Sequence, residues 1–338
     1  MSSSTQVSLT GITTTGTPHL GNFAGAIRPA IAASRRDDVQ SYYFLADYHS
    51  LAKTHDVAAL SVSTLEIAAT WLALGLDPDR VTFYRQSDIP EIPELTWILS
   101  GVTAKGLMNR AHAYKAAVAD NEAAGSRDPD KGITMALFGY PLLMAADILM
   151  FCATHVPVGR DQKQHLEMAR DIATRFNHVY GDVLTVPEPV IDDNTATLAG
   201  LDGRKMSKSY NNTIPLFIPA KKLRKLIMKI RTNSLEPGEP KDPDGCSLYS
   251  IYRAFATDAQ AAEVRQAYAD GIGWGDMKQR LFEHLDAILA EPRERYDALM
   301  ADPAKIESQL HAGAEKARTV SREVLAEVRH AIGIRPLG

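Results

Sequence analysis

The strongest constraint on the fold lies at the amino-terminal end. Residues 7–11, Val-Ser-Leu-Thr-Gly, read as a short buried strand. A turn follows, Thr13-Thr-Thr-Gly-Thr-Pro18, and His19-Leu-Gly-Asn22 then opens an apolar run over 23–33 with helical spacing. Strand, glycine-bearing turn and helix, in that order, open a parallel α/β unit suited to a nucleotide, because a helix N-terminus offers unpaired N–H groups and positive potential to phosphate. Residues 42–46 and 81–84 are further strand candidates. Between them 57–76 has helical spacing and ends on Gly75 and Asp77-Pro78, which is stop chemistry for a helix. The alternation predicts a doubly wound parallel sheet.

Further along, residues 116–131 are polar, charged and glycine-containing and read as a mobile surface loop. Residues 161–175 read as a helix, and 191–208 as an extended piece followed by a loop. From Pro219 the character turns mainly helical, with 259–301 and 304–332 carrying charged helical faces around a proline- and acid-rich loop at 232–245. With 338 residues the chain has room for about two domains.

Composition narrows the function. Lysine and arginine number 37 against 41 acidic residues, a formal charge of −4, so a general polyanion binder is excluded and any nucleic acid must meet a local basic face. The two cysteines, Cys152 and Cys246, lie far apart, which excludes a disulfide scaffold or a cysteine-built metal site and fits a reducing compartment. The polar Met1–Gln6 start lacks a signal-peptide pattern. The most apolar stretch, 133–158, is interrupted by Pro141, Asp147 and His155, so no membrane span is expected.

Four segments carry chemistry. In Thr17-Pro-His-Leu-Gly-Asn22, Gly21 admits close backbone approach and His19 can donate to a phosphate oxygen, although a plain capped loop would look the same. In Gly203-Arg-Lys-Met-Ser-Lys-Ser209, two lysines interleaved with hydroxyls suit a mobile loop that clamps a polyphosphate, where a solvated turn is the simpler alternative. Gly139 to Met150 sets a single carboxylate, Asp147, in an apolar run. Either it pairs with an arginine or a backbone amide, or it accepts from a donor-only ligand group such as an indole N–H. Val156-Pro-Val-Gly-Arg-Asp-Gln-Lys-Gln-His165 sets Asp161 and Gln162 at a strand's carboxyl edge, where Asp161 can cap a helix or accept from ribose hydroxyls.

Taken together, these segments resemble the bacterial tryptophanyl-tRNA synthetases, class I aminoacyl-tRNA synthetases whose paired signatures are written HIGH and KMSKS. The likeness spans about Val7 to Ile332, with Met144-Ala-Ala-Asp-Ile-Leu149 and Val156 to His165 as its most specific parts. It implies a Rossmann-like catalytic domain over 1–215 and a mainly helical, anticodon-binding domain over 216–338, whose last helix packs back on the first. It implies activation of L-tryptophan by ATP, carried with Mg²⁺ as a substrate complex and no structural metal, then transfer to tRNA(Trp) by a cytoplasmic homodimer. By the same resemblance Lys205, Lys208 and His19 are catalytic. ATP contacts fall on Thr13, Thr14, Thr15, His19, Gly21, Asn22, Gly159, Arg160, Asp161, Lys205, Met206, Ser207, Lys208 and Ser209. The three threonines and Arg160 depart from the family's usual residues. The tryptophan pocket maps onto Asp147, Leu9, Gly11, His49, Tyr140, Met144, Val156, Val158 and Gln162, and Arg110 and Lys115 reach toward phosphate. The basic stretch Lys221 to Arg231, with an apolar stripe of Leu223, Leu226, Ile227 and Ile230, is either a tRNA-facing helix or a solvated amphipathic one. Alternatives are a tyrosyl-specific relative, a non-catalytic paralogue, and another nucleotidyltransferase, against which the helical last third argues.

Overall fold

The structure, a computed structural model, describes residues 6–158, 162–191 and 197–335. Five strands form one sheet: β1 (Gln6–Thr13), β2 (Val39–Ala46), β3 (Thr82–Arg85), β4 (His155–Val158) and β5 (Glu188–Ile191), ordered β3-β2-β1-β4-β5. Every neighbouring pair is parallel. The chain steps outward from β1 to β3, then returns to lay β4 on the other side of β1. The order therefore reverses between β1 and β4, and the crevice at their carboxyl ends is where an open α/β sheet receives ligands.

Side-chain alternation explains the two-sided burial. Tyr42, Phe44, Ala46 and Tyr84 belong to one core, while Tyr43, Leu45 and Phe83 belong to the other. A strand buried on both faces reads as a continuous apolar run, as 42–46 does. The expected doubly wound sheet is the observed one.

The helices start where the sequence supplies caps. Asp56 accepts from the Ala59 N–H at 2.9 Å to begin Val57–Ala73, and Thr134 accepts from Leu137 at 3.2 Å to begin Met135–Leu149. That second helix carries Pro141 near its middle. The helix expected over 161–175 runs as Lys163–Tyr180, and Asp161 lies outside the described residues. After β1 the chain is helical over 20–33, with a π-helical turn at Phe23–Ile27.

One expectation is corrected. Residues 116–131 are not one loop, because His112–Ala123 is a helix. Ala113, Ala116, Ala117, Ala119 and Ala123 are strong helix formers, and they outweigh the charges that suggested a loop. Only beyond Ala123 does the chain turn, and Asn121 Nδ2 ties that turn by donating to the carbonyls of Pro129 and Lys131 at 2.8 and 2.9 Å.

The second half is mainly helical: Ala220–Ile227, Ser247–Phe255, Asp258–Ala269, Trp274–Ala301 and Pro303–Ala331. Its apolar residues Leu223, Ile227, Leu281 and Leu285 share one core with Leu20, Ile27 and Ile67 beneath the sheet. No helix among the described residues is long and apolar enough to cross a membrane.

The last helix covers the edge strand β3. A Cβ placed on Gly313 would lie 1.7 Å from the Phe83 carbonyl oxygen. Arg85 forks onto Glu307 at 3.1 and 3.0 Å, and the buried Glu91 accepts from Arg318 at 3.1 Å and from Ser321 at 3.3 Å. Covering an edge strand in this way removes an open hydrogen-bonding row. We expect Gly313→Ala to force helix and strand apart and destabilise the fold by about 1–3 kcal/mol or more. In Gly275→Ala the new methyl meets nothing within 4 Å, so that variant should be neutral or slightly stabilising. Thermal melts of the two variants check this.

Candidate active site

Two cavities open at the carboxyl edge of the sheet, one of about 570 Å³ and one of about 550 Å³, and both are lined by Thr10, Gly11, Thr13 and Ala26. The end of β1 is thus their common wall.

The second cavity is mostly apolar. Leu9, Gly11, His49, Tyr140, Met144, Asp147, Val156 and Gln162, all expected around one ligand, line it together. The Val158 side chain lies outside the described residues. Asp147 is 1% exposed. Its partners are neither an arginine nor a backbone amide: His49 Nε2 lies 2.8 Å from Oδ2, and Gln86 Nε2 donates to Oδ1 and Oδ2 at 2.7 and 2.9 Å. Burial pushes the Asp147 carboxyl up, and the hydrogen bonds from His49 and Gln86 oppose that. The Tyr140 ring meets His49 edge-on, and its hydroxyl contacts His165 Nε2. His165 Nδ1 in turn lies 3.0 Å from Gln162 Oε1.

The first cavity is bounded by the turn after β1 and by the distant lysine loop. Thr13, Thr15, His19, Gly21, Asn22, Lys205, Met206, Ser207 and Lys208 line it. Asn22 Oδ1 accepts from the His19 N–H at 3.1 Å and so fixes the entry into the helix. The Lys208 ammonium donates to the Thr15 carbonyl at 2.6 Å. It passes close to Gly16, whose φ of +66° is a left-handed conformation that favours glycine, and a Cβ there would sit 2.9 Å from Nζ. The loop itself hangs on Asn212, which is 2% exposed. Its Oδ1 accepts from the Ser207 N–H at 2.8 Å, and its Nδ2 donates to Asp202 at 2.6 Å and to the Lys205 carbonyl at 3.1 Å.

Burial, reinforced by the Lys208 charge, lowers the His19 imidazole to about 4, so it is neutral at neutral pH. Its Nδ1 is buried without a protein partner. Burial also pushes the Lys208 ammonium down.

Some expected residues are placed elsewhere. Thr14 is fully buried and lines neither cavity, its hydroxyl 2.7 Å from Ser50 Oγ. Ser209 leaves the cavity because the loop turns at Ser207, whose hydroxyl accepts from the Ser209 N–H at 3.3 Å. Arg110 and Lys115 are exposed and line neither cavity. Helical periodicity turns Ala113 inward and Lys115, two residues on, outward. Gly159, Arg160 and Asp161 lie outside the described residues. The sequence reading missed Phe44, which lines the second cavity, Ile67 and Trp71, which line the first, and Gln86 and Asn212. Gln86 had one legible sign: a polar residue directly after a strand at the ligand edge.

A parallel sheet with this switch point, a lysine loop folded over the first turn and a buried carboxylate in an apolar cavity define an enzyme that brings a nucleotide and a small apolar ligand together. Comparison with known proteins agrees. The family described as class I tRNA synthetases (W and Y) matches residues 3–290, and the chain belongs to that family. The tryptophan–tRNA ligase of Pseudomonas aeruginosa is 63% identical over 97% of this chain and 74% of its own length, and that of Neisseria meningitidis 60% identical over 97% and 98%. The crystal structure of tryptophanyl-tRNA synthetase from Campylobacter jejuni, complexed with ADP and tryptophan, is 40% identical, with a TM-score of 0.87 over 97% of this chain and all of that one. The activity of the chain is accordingly tryptophan–tRNA ligation, and neither tyrosine specificity nor loss of catalysis describes it.

The His19 shift carries a sign. Its folded pKa of about 4 lies below the ordinary 6.5, so the unfolded chain takes up the proton first as pH falls. The stability tied to neutral His19 is complete above about pH 7 and is lost between about 6.5 and 4. Denaturant midpoints at pH 7 and pH 5 should therefore fall further for the unmodified protein than for His19→Gln. Equal falls would contradict the assignment.

Proposed function

We propose that the 550 Å³ cavity holds the tryptophan side chain and the 570 Å³ cavity holds ATP, with the reacting groups meeting over β1. The observation that carries this reading is the shared wall of Thr10, Gly11 and Thr13 between a cavity floored by Asp147 and one closed by Lys208. Asp147 accepts the indole N–H, and Leu9, Phe44, Met144 and Val156 supply the apolar slot around it. A phenylalanine side chain offers no N–H and would leave a buried acceptor unsatisfied, which penalises it.

In the first step a tryptophan carboxylate oxygen attacks the α-phosphorus of ATP, and the bond to pyrophosphate breaks. In the second the 3′-terminal ribose hydroxyl of tRNA(Trp) attacks the adenylate's carbonyl carbon and releases AMP. Neither step needs a nucleophile from the protein, so the task is positioning and charge stabilisation. ATP enters as its Mg²⁺ complex. Lys205 and Lys208 stabilise charge on the departing pyrophosphate, the neutral His19 donates to a phosphate oxygen, and the helix that begins at Leu20 adds its N-terminal field. Gly21 and Asn22 keep that helix start close to the phosphates, and closure of the 205–209 loop excludes water from the adenylate.

Residues 1–215 form the catalytic unit in this reading, and 216–338 the part that reads tRNA. The helix Ala220–Ile227 buries Leu223 and Ile227 and exposes Lys221, Lys222, Arg224 and Lys225, a face suited to phosphate contacts. The working form is a homodimer, in keeping with Trp97, an indole 79% exposed on Glu91–Ser100 that a subunit interface would cover. Its compartment is the cytoplasm, where tRNA is charged for translation.

ATP–pyrophosphate exchange with single amino acids tests the site. Tryptophan alone should support exchange. Asp147→Ala should reduce tryptophan-dependent exchange by roughly ten- to a hundredfold while ATP affinity is retained. Lys208→Ala should lower the activation rate by more than it weakens tryptophan binding. Normal tryptophan activation by the Asp147 variant would remove that residue from the pocket.

A further inference from the structure

We propose that Gln86 is a positioning residue for tryptophan selection, holding Asp147 ionised and turned so that one acceptor site faces the amino-acid cavity. This rests on the reading that Asp147 accepts the indole N–H.

The geometry is one of matched donors and acceptors. Gln86 is completely buried at the carboxyl end of β3, outside the cavity lining, so it acts on the ligand through Asp147. Its orientation is set from behind: the Tyr48 N–H, which can only donate, is 3.2 Å from Gln86 Oε1 and is shared with Asp47 Oδ1 at 3.0 Å. Oε1 therefore faces Tyr48 and Nε2 faces Asp147, where an N–H is shared between Oδ1 at 2.7 Å and Oδ2 at 2.9 Å. An ionised carboxylate offers about four acceptor sites. Oδ2 is contacted by both Gln86 Nε2 and His49 Nε2, the latter at 2.8 Å, while Oδ1 meets Gln86 alone among the described residues, which leaves an acceptor site on Oδ1 for the ligand.

The surroundings make this support necessary. Burial favours the protonated acid, and Asp47 adds a like charge nearby. The facing Tyr84 phenol is fully buried and gives Asp147 no hydrogen bond, its oxygen having no partner. His49 is the only other side chain recorded as donating to Asp147 among the described residues. If Asp147 took up a proton, its O–H could point at the indole N–H, donor against donor, and the site would stop selecting tryptophan. The Gln86 amide held across both oxygens, beside the His49 N–H, opposes that protonation.

ATP–pyrophosphate exchange on the full-length protein, followed from pH 6 to 8.5, tests the proposal. Gln86→Met keeps the length and removes both donors. It should raise the KM for tryptophan by about tenfold or more, leave the KM for ATP unchanged, and move the acid limb of kcat/KM for tryptophan upward by about one pH unit. Gln86→Glu sets a second carboxylate against Asp147. Two such groups share one proton, so activity should be low at pH 8 and recover toward pH 6, where a protonated Glu again donates to Asp147. A residue that only filled space would show a loss independent of pH and no such recovery.

Wild-type tryptophan KM and an unmoved acid limb in Gln86→Met would overturn the proposal. If that variant does not fold, the Gln86→Glu profile decides alone: recovery at low pH supports the positioning role, and a flat or falling profile rejects it. Asp147→Asn separates this from the reading beneath it. Wild-type tryptophan KM in Asp147→Asn would reject the indole contact itself, whereas an impaired Asp147→Asn beside an unaffected Gln86→Met would reject only the role of Gln86.

Discussion

A carboxylate buried in an apolar helix must be given hydrogen-bond donors, and much of the architecture follows from how Asp147 obtains them. Unpaired, it would cost several kcal/mol and would protonate instead. Its own helix, Met135–Leu149, surrounds it with alanine, leucine, isoleucine and methionine, and the hydroxyl of Tyr140 on that helix is engaged with His165. The donors come from the sheet: His49 lies just beyond β2 and Gln86 just beyond β3. Parallel pairing with Phe44 opposite Tyr84 and Leu45 opposite Arg85 delivers both residues to the same edge. An antiparallel neighbour would carry one of them to the far end of the sheet. The strand direction that defines the fold is thus also what allows the carboxylate to exist there.

The first cavity is built differently. It contains few committed side-chain bonds and much backbone, with β1 supplying a small-residue wall of Thr10, Gly11 and Thr13 that two ligands can approach from opposite sides. Positive charge is brought from far along the chain. Lys208 reaches the Thr15 carbonyl, and the loop carrying it is suspended from Asn212, one buried amide that satisfies partners at Ser207, Asp202 and Lys205. An asparagine suits this place because it accepts and donates at once without adding charge beside the two lysines. The lysine is therefore held by a neutral carbonyl and not by a carboxylate, and it stays available to an incoming anion.

How much of this could be read from the sequence follows the range of the interactions. The strand at 42–46 and the helix at 57–76 were legible because apolar periodicity and stop residues are local. Asp147, Tyr140 and Gln162, which line the second cavity, lie in short specific motifs, whereas His49 came from the family resemblance alone. The partner of Asp147 was not legible, because Gln86 is separated from it by 61 positions and nothing local in Gln-Ser-Asp declares what a glutamine faces. Thr14 failed for a related reason. Three consecutive threonines look alike in sequence, yet the backbone turns the middle one into the core against Ser50. The helix His112–Ala123 was missed because charge and one glycine were given more weight than five alanines.

The covering of β3 by the last helix connects these observations. As the edge strand of the sheet, β3 pairs with β2 alone, and an edge with one neighbour is the part of a sheet freest to shift. Pro303–Ala331 removes that freedom on the other side: Gly313 seats the helix directly on the Phe83 carbonyl, and Glu307 grips Arg85. The next residue in the chain is Gln86. A hydrogen bond of 2.7 Å weakens steeply with small displacements, so the amide can keep both oxygens of Asp147 only if the strand end that carries it is fixed to within a fraction of an ångström. The carboxyl-terminal helix, remote in sequence from every signature motif, therefore helps to hold the Gln86–Asp147 contact in register. This gives a physical reason for the helical half and the sheet to share one continuous core, rather than meeting through a flexible joint.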